Sequence, residues 1–206
     1  MSPEQDSKRD AERFRRLIAR IDRVNSEDPN RELVDGIVSS RELIYSRRLT
    51  EWVLRLDPQA TEALQIAARG QHIARWTIPR ERYERNRGGY LRWRETLKAF
   101  HIQKISELMR EADYPDTMIQ RVQTIMGKRQ LPSDSETQTL EDALCLVFLQ
   151  TQFADLKQKT PDDKMREILQ KTWKKMSGQG RAAALQLDLS EEAQRWIVQA
   201  VSSDAG

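Results

Sequence analysis

The sequence has little of several features that would place a protein in a known chemical class. It contains one cysteine, Cys145, so no disulfide can form within the chain, and a reducing, cytoplasmic setting is expected. No apolar run approaches the roughly 20 residues that cross a bilayer. The charged segment 1–16 lacks the apolar centre of a signal peptide. We therefore expect a cytoplasmic protein with no membrane partner.

Familiar catalytic motifs are missing as well. The chain has no glycine-rich phosphate loop, no paired-cysteine motif, no HExxH zinc motif and no serine elbow. The formal net charge is only +3, from 35 Lys and Arg against 32 Asp and Glu. A dedicated nonspecific nucleic-acid binder usually carries more excess charge than this. Basic character is therefore expected to act locally, at one site.

A helical pattern runs along almost all of the 206 residues. Apolar residues recur at three- and four-residue spacings, and no convincing run of alternating β-branched residues is found. The pattern predicts about eight helices, at 8–25, 41–56 after an N-cap at Ser40, 59–76, a fourth between Gly89 and Tyr114, 115–128, 139–158, 161–176 and 190–202. We expect an all-α fold, with a single globular helical domain over 8–202 and disordered tails at 1–7 and 203–206.

The most informative segment runs from Arg75 to Arg94. It holds seven arginines and no lysine, is interleaved with four aromatic residues, and includes an expected loop at 77–89. Guanidinium groups grip phosphate or carboxylate through two parallel hydrogen bonds and stack on rings. The segment predicts a site for an anionic, phosphorylated or carboxylated small molecule. The predicted anion-binding residues are Arg69, Arg75, Arg80, Arg92, Arg94, Tyr90 and Trp93.

The only two histidines, His72 and His101, flank this segment. Imidazole is the usual general base near neutral pH and the commonest metal ligand. We predict that both histidines are catalytic, and the alternative for each is a structural residue at the edge of the core. Their closeness in sequence to the arginines favours the functional interpretation.

Two carboxylates fall at positions where solvation is expected to be poor. Glu42 shares a helix face with Tyr45 and Val53, so it must be ion-paired, hydrogen-bonded or metal-bound. An ion pair with a buried arginine is the structural alternative. Asp142 heads a nearly apolar run. It is either a metal-binding carboxylate or, with Thr139, part of a capping box at a helix start.

Several longer motifs resemble the uncharacterised family known as domain of unknown function 4202. The motifs are those at 41–48, 67–76, 89–94, 100–101, 139–149, 164–165, 171–173 and 175–177. The resemblance covers residues 8–200 and implies no particular activity. It does imply that the arginine segment, His72, His101 and Asp142 belong to one unit.

A more distant similarity is to the helical HD-domain phosphohydrolases, and it implies an HD-domain-like arrangement. Their pattern of His, His-Asp and Asp falls on Tyr45, Gln71-His72 and Asp142, where only the last residue agrees by type. A divalent metal would therefore need a different set of ligands, namely Glu42, His72, His101 and Asp142. Two imidazoles with two carboxylates suit iron or manganese better than structural zinc.

Three functions are compatible with these observations. The first is an enzyme, such as a metal-dependent hydrolase, that acts on an anionic small molecule clamped by the arginines. The second is an RNA-binding module, in which the aromatic residues of segment 75–94 stack on bases and the arginines contact phosphates. The third is a noncatalytic helical interaction protein whose arginines pair with acidic residues on other helices.

Overall fold

The computed structural model describes residues 3–34, 36–131 and 133–202, and most of them are helical. The described helices are α1 (Pro3–Ser26), α2 (Arg41–Leu56), α3 (Glu62–Gly70), α4 (Arg87–Glu111), α5 (Asp116–Gly127), α6 (Ser135–Thr151), α7 (Phe153–Gln158), α8 (Asp162–Lys175), α9 (Gly178–Leu185) and α10 (Glu191–Ser202). The all-α class is confirmed. The described chain has ten helices, so the expected number of about eight is too low.

The helix expected around the apolar run near Cys145 differs from the prediction at its start and in its middle. The expected helix 139–158 is divided at Gln152 into α6 and α7. Helix α6 begins earlier than expected, because the side chain of Asp134 accepts a hydrogen bond from the Thr137 amide at 3.1 Å. The predicted capping box at Thr139 is therefore wrong. Helix α9 is short and alanine-rich, with a weak amphipathic pattern that gave no signal.

A small antiparallel hairpin contradicts the expectation that the chain has no strands. Strands β1 (Arg31–Val34) and β2 (Ile37–Ser40) pair with Leu33 opposite Val38. Both of these side chains are exposed, as is that of Ile37. The strand sequences RELV and IVSS do not alternate polar with apolar residues, which is the pattern that reveals a strand. The dipeptide Asp35-Gly36, a strong hairpin signal in sequence, was the available clue.

The core is built around α3, whose buried positions occupy most of its surface. Leu64 and Ile66 of α3 are fully buried, and the helix packs against α2, α5 and α6. Its last residue, Gly70, lies so close to α4 that an added Cβ would come within 2.3 Å of Ile105 Cδ1. The absence of a side chain at Gly70 thus lets the end of α3 approach α4.

The ends of the chain differ from the predicted tails where the structure describes them. Helix α1 begins at Pro3, so it includes residues 3–7, which were expected to be disordered. Residues 1–2 and 203–206 lie outside the described residues. None of the helices in the described ranges combines the length and the apolar character required to traverse a bilayer.

Candidate functional site

Three aromatic side chains from separate elements form a cluster at the centre of the site. Tyr45 of α2 lies on His72, with ring centroids 4.1 Å apart and an interplanar angle of 10°. His72, in the turn after α3, is followed by His101 of α4 at a centroid distance of 5.7 Å. The structure therefore brings together the two histidines that the sequence singled out.

The turn that carries His72 is held by the end of α1. Ala74 has φ of 51°, a left-handed conformation that a non-glycine residue adopts at a cost of roughly 1–2 kcal/mol. Its amide donates to Oδ1 of the buried Asn25 at 3.2 Å. This contact, together with the close approach of Gly70 to α4, places His72 and Arg75.

The start of α2 is capped by Asp28, which lies far upstream of the helix. Oδ2 of this buried carboxylate accepts from the Glu42 amide at 3.0 Å, and Oδ1 accepts from the Asn30 amide at 2.9 Å. Ser40 occupies the N-cap position as predicted, but its hydroxyl donates to the Ser26 carbonyl instead of capping the helix. Asp28 is a site-building residue that sequence patterns missed.

Glu42 faces both His72 and Arg75. Its Oε2 atom lies 3.4 Å from His72 Nδ1, and its Oε1 atom lies 3.8 Å from Arg75 Nε. Burial raises the pKa of Glu42 to about 7, and the positive charge of Arg75 opposes the rise. Glu42 thus faces an arginine, as the structural alternative from the sequence requires.

Both histidines are neutral at neutral pH. Burial lowers the pKa of His72 well below its ordinary value, and the charge of Arg75 lowers it further. Burial and His72 lower the pKa of His101 to about 2. Among the described residues, the buried Nε2 atom of His101 has no hydrogen-bond partner. Neutral imidazoles carry no charge to bind an anion.

Two cavities share His72 and Arg75 in their walls. The first, called the aromatic cavity, has a volume of about 430 Å³ and is lined in part by Tyr45, Trp76 and Trp93. The second, called the basic cavity, has a volume of about 350 Å³. Its charged lining residues are Arg75, Arg94, Lys98, Lys128 and Glu95. Cations thus outnumber anions around the basic cavity by four to one.

The arginine segment folds back on itself. The Arg75 guanidinium lies 4.9 Å from the centroid of Trp93, and that of Arg80 lies 6.0 Å from the same ring. Trp93 Nε1 donates to the Ile78 carbonyl at 2.9 Å, and Arg80 donates to the Tyr83 carbonyl at 2.9 Å. The expected loop 77–89 therefore contains a short 3-10 turn at Arg80–Arg82 and ends where α4 begins at Arg87.

Three of the predicted anion-binding residues line neither cavity. Both Nε and Nη2 of Arg69 bind the carboxylate of Asp22, at 2.6 and 2.8 Å. Arg92 pairs with Glu84 at the surface, at 3.1 Å. Tyr90 is 43% exposed and lies against Trp93. Arg69 and Arg92 thus form ion pairs with carboxylates of the chain. The predicted anion-binding residues that do line a cavity are Arg75, Arg80, Arg94 and Trp93.

Asp142 is engaged away from the histidines. It is buried, and its carboxylate accepts from the Ser177 amide at 2.8 Å, from the Ser177 hydroxyl and from Gln138 Nε2 at 2.9 Å. These bonds hold the N-cap of α9. Across the part of the chain that the structure describes, no three His, Cys, Asp or Glu side chains are grouped to hold a metal ion.

Two lysines of the basic cavity escaped sequence reasoning. Lys98 follows Arg94 by four residues and precedes His101 by three, so helical spacing could have found it. Lys128 arrives from the end of α5, where its φ of 53° is left-handed, and it pairs with the buried Glu141. Only the packing of α5 against α4 brings Lys128 to the cavity.

The comparison with protein families identifies the chain. Residues 15–197 match the family described as Domain of unknown function (DUF4202), and the chain belongs to it. Searches among curated proteins and among solved structures returned no significant match.

Proposed function

We propose that this member of the DUF4202 family binds an anionic small molecule, phosphorylated or carboxylated, at the junction of its two cavities. The observation that carries the proposal is the position of Arg75. This residue lines both cavities, stacks on Trp93 and faces Glu42 at 3.8 Å. A guanidinium held in this way is oriented before a ligand arrives, which reduces the entropy lost on binding.

The charge around the basic cavity supports an anion as the ligand. Lys98 is paired with Glu95 at 2.8 Å and Lys128 with Glu141, so each of these lysines already has an anionic partner. Arg94 lines the cavity with its guanidinium over the Tyr90 ring, and Arg75 faces a carboxyl that is protonated in part. An anion between Arg75 and Arg94 would receive charge-assisted hydrogen bonds from two planar groups.

Proton transfer by Glu42 would make this binding site catalytic. A carboxyl with a pKa near the working pH is suited to general acid–base catalysis, which contributes roughly 10²–10⁴-fold in rate. Glu42 lines the aromatic cavity, so its carboxyl would exchange this proton with a bound ligand. A hydrolase is the reaction class that the proposal favours. Iron or manganese bound by Glu42, His72, His101 and Asp142 stays a prediction, although the described residues do not group three such side chains for a metal. Elemental analysis of untagged protein tests it.

The interpretation as an RNA-binding module is less favoured by the geometry. The ring of Trp93 is faced by Arg75 and Arg80, and that of Tyr90 by Arg94 at 5.8 Å. Guanidinium groups that cover these faces compete with base stacking. A steep fall in affinity for single-stranded RNA with rising salt would support the RNA interpretation instead.

Calorimetric titration with inorganic phosphate and with citrate at low ionic strength tests the proposal. Replacing Arg94 by Ala should lower the affinity for the anion that binds by tenfold or more, which corresponds to about 1.4 kcal/mol. Arg92→Ala is the matched control, because Arg92 lies on the same helix and pairs with Glu84 outside both cavities. Wild-type protein that binds neither anion, or equal losses in both variants, would overturn the proposal.

A further inference from the structure

We infer that the ligand is a phosphate monoester of a planar, polar ring compound the size of a mononucleotide, with the phosphate in the basic cavity and the ring in the aromatic cavity. This inference rests on the proposed function, since it specifies the chemical class of the anion. It follows from the different chemistry of two cavities that share the side chains of Arg75 and His72.

The aromatic cavity is lined by four arginines and three glutamates, so its charges nearly balance. Arg48 pairs with Glu32 at 2.9 Å, and Glu42 faces Arg75. Arg80 donates to backbone carbonyls within its own loop, including that of Glu84 at 2.7 Å. A second phosphate in this cavity would have to displace these internal contacts. The cavity is therefore suited to an uncharged part of the ligand.

Aromatic surface and a neutral amide remain for recognition in the aromatic cavity. Trp76 contributes ring surface to its wall. Tyr45 and Trp93 also line the cavity, with ring faces already against His72 and Arg75, respectively. Gln152 lines the same cavity, and its side-chain amide makes no hydrogen bond within the described part of the chain. A primary amide is both a donor and an acceptor, which matches the polar edge of a heteroaromatic ring. Aromatic walls with one such group are typical of sites for planar ligands.

The cavity sizes favour a ligand with two parts. Cavities of about 430 and 350 Å³ each fall in the range of roughly 300–1,000 Å³ that small-molecule sites occupy. A lone phosphate would leave the aromatic cavity without an occupant. When a ring and a phosphate are joined, one group already in place raises the effective concentration of the other. The linked compound should therefore bind more tightly than either part.

The test compares inorganic phosphate, phenyl phosphate, the four common ribonucleoside 5′-monophosphates and the matching nucleosides, by calorimetric titration of the full chain. At least one ring-bearing monophosphate should bind tenfold or more tightly than inorganic phosphate, and more tightly than its nucleoside. Gln152→Ala should weaken the preferred monophosphate about tenfold and leave inorganic phosphate unchanged. Lys98→Ala should weaken both ligands.

Matched controls separate local effects from general ones. Lys104 also lies on α4, where it pairs with Glu107 just as Lys98 pairs with Glu95, but it lines neither cavity. Lys104→Ala should therefore change neither affinity, and the unfolding curve of each variant checks that the fold is retained. Because Gln152 is exposed and lies at the junction of α6 and α7, its truncation leaves the core intact.

The failure of the inference is distinguishable from the failure of the proposed function. If no ring-bearing phosphate binds more tightly than inorganic phosphate, while Arg94→Ala still weakens phosphate, the ring-binding inference is wrong and the anion site stands. If phosphate binding is absent or insensitive to Arg94 and Lys98, both are wrong. Tighter binding of a single-stranded oligoribonucleotide than of every mononucleotide would overturn the inference in favour of RNA.

Discussion

Tyr45 and His72 stack in parallel, and this contact determines which atoms of the imidazole are available. With centroids 4.1 Å apart and planes within 10°, one face of His72 is covered by the phenol ring. His101 lies 5.7 Å away at a tilt of 44° and limits access from another side. The edge with Nδ1 is directed at Glu42 Oε2, at 3.4 Å. The Nδ1 edge of His72 therefore faces Glu42, while the ring face that lies on Tyr45 is covered.

Replacing Glu42 by Gln should alter how the free energy of unfolding depends on pH. Burial raises the pKa of Glu42 from its ordinary 4.5 to about 7. The folded chain therefore holds a proton that the unfolded chain releases. The stabilisation that comes from this bound proton is fully present below about pH 4.5 and is lost as the pH rises through about 7. The pKa difference corresponds to roughly 3 kcal/mol.

Urea unfolding at acidic and alkaline pH measures this effect. Relative to the wild type, Glu42→Gln should gain stability on going from about pH 5 to about pH 8, since Gln has no proton to lose. Glu51→Gln, at an exposed position of the same helix, is the control. Parallel pH profiles for wild type and Glu42→Gln would show that the carboxyl titrates normally in the folded protein.

Replacing His101 by Asn should make the protein less sensitive to acid. Burial lowers the pKa of His101 from 6.5 to about 2, so the unfolded chain takes up a proton that the folded chain excludes. The stabilisation that comes from keeping this ring neutral is fully present above about pH 6.5 and is lost as the pH falls toward about 2. The variant should unfold at a lower pH in an acid titration followed by circular dichroism. An unchanged acid midpoint would contradict the assigned burial of this ring.

Gly70→Ala should destabilise the fold although alanine is the better helix former. The new Cβ would lie 2.3 and 2.4 Å from two carbons of Ile105, and such overpacking typically costs about 1–3 kcal/mol. Trimming Ile105 to Ala makes room, so the double variant should lose less stability than the sum of the single changes. Gly178→Ala, where nothing lies within 4 Å, should be neutral or stabilising. Additive losses in the double-mutant cycle would refute the contact.

Asp142→Asn should destabilise the protein without affecting the affinity for phosphate. The new amide group would face the donors Ser177 and Gln138, and an unsatisfied buried bond costs roughly 1–3 kcal/mol. Chemical unfolding measures the loss, and Asp163→Asn, whose carboxylate is 98% exposed, is the control. A folded Asp142→Asn variant with lost phosphate affinity would return Asp142 to the site, as the sequence had predicted.

Residue type and helical spacing predicted some of the site. The place of Glu42 on an apolar stripe indicates that its carboxylate is ion-paired, hydrogen-bonded or metal-bound, and Glu42 does face Arg75. Arginine content alone could not separate Arg94 from Arg92, because residues two apart on a helix project about 200° apart and the start of α4 has no clear apolar face. Which of them faces a cavity depends on how α4 packs against α3 and α5.

Other parts of the site depend on contacts between residues distant in sequence. Asp28 caps α2 from fourteen residues upstream, and no local cap motif encodes that bond. Arg69 carries the same charge as Arg75 but is bound by Asp22, a partner 47 positions away. The family resemblance implies that Asp142 belongs to one unit with the histidines, whereas packing places it against Ser177. In each case the partner, and not the residue type, decides the role.

Residues at and just after the end of α1 support both Glu42 and the turn that carries His72. Asn25 binds the amide of Ala74, two residues after His72, and Asp28 binds the amide of Glu42 itself. Glu42 and the His72 turn are therefore held by one shared support, and any displacement of that support would move both. The backbone amides of Ala74 and Glu42 are built-in reporters, whose hydrogen exchange should slow in concert when a ligand fills the cavities.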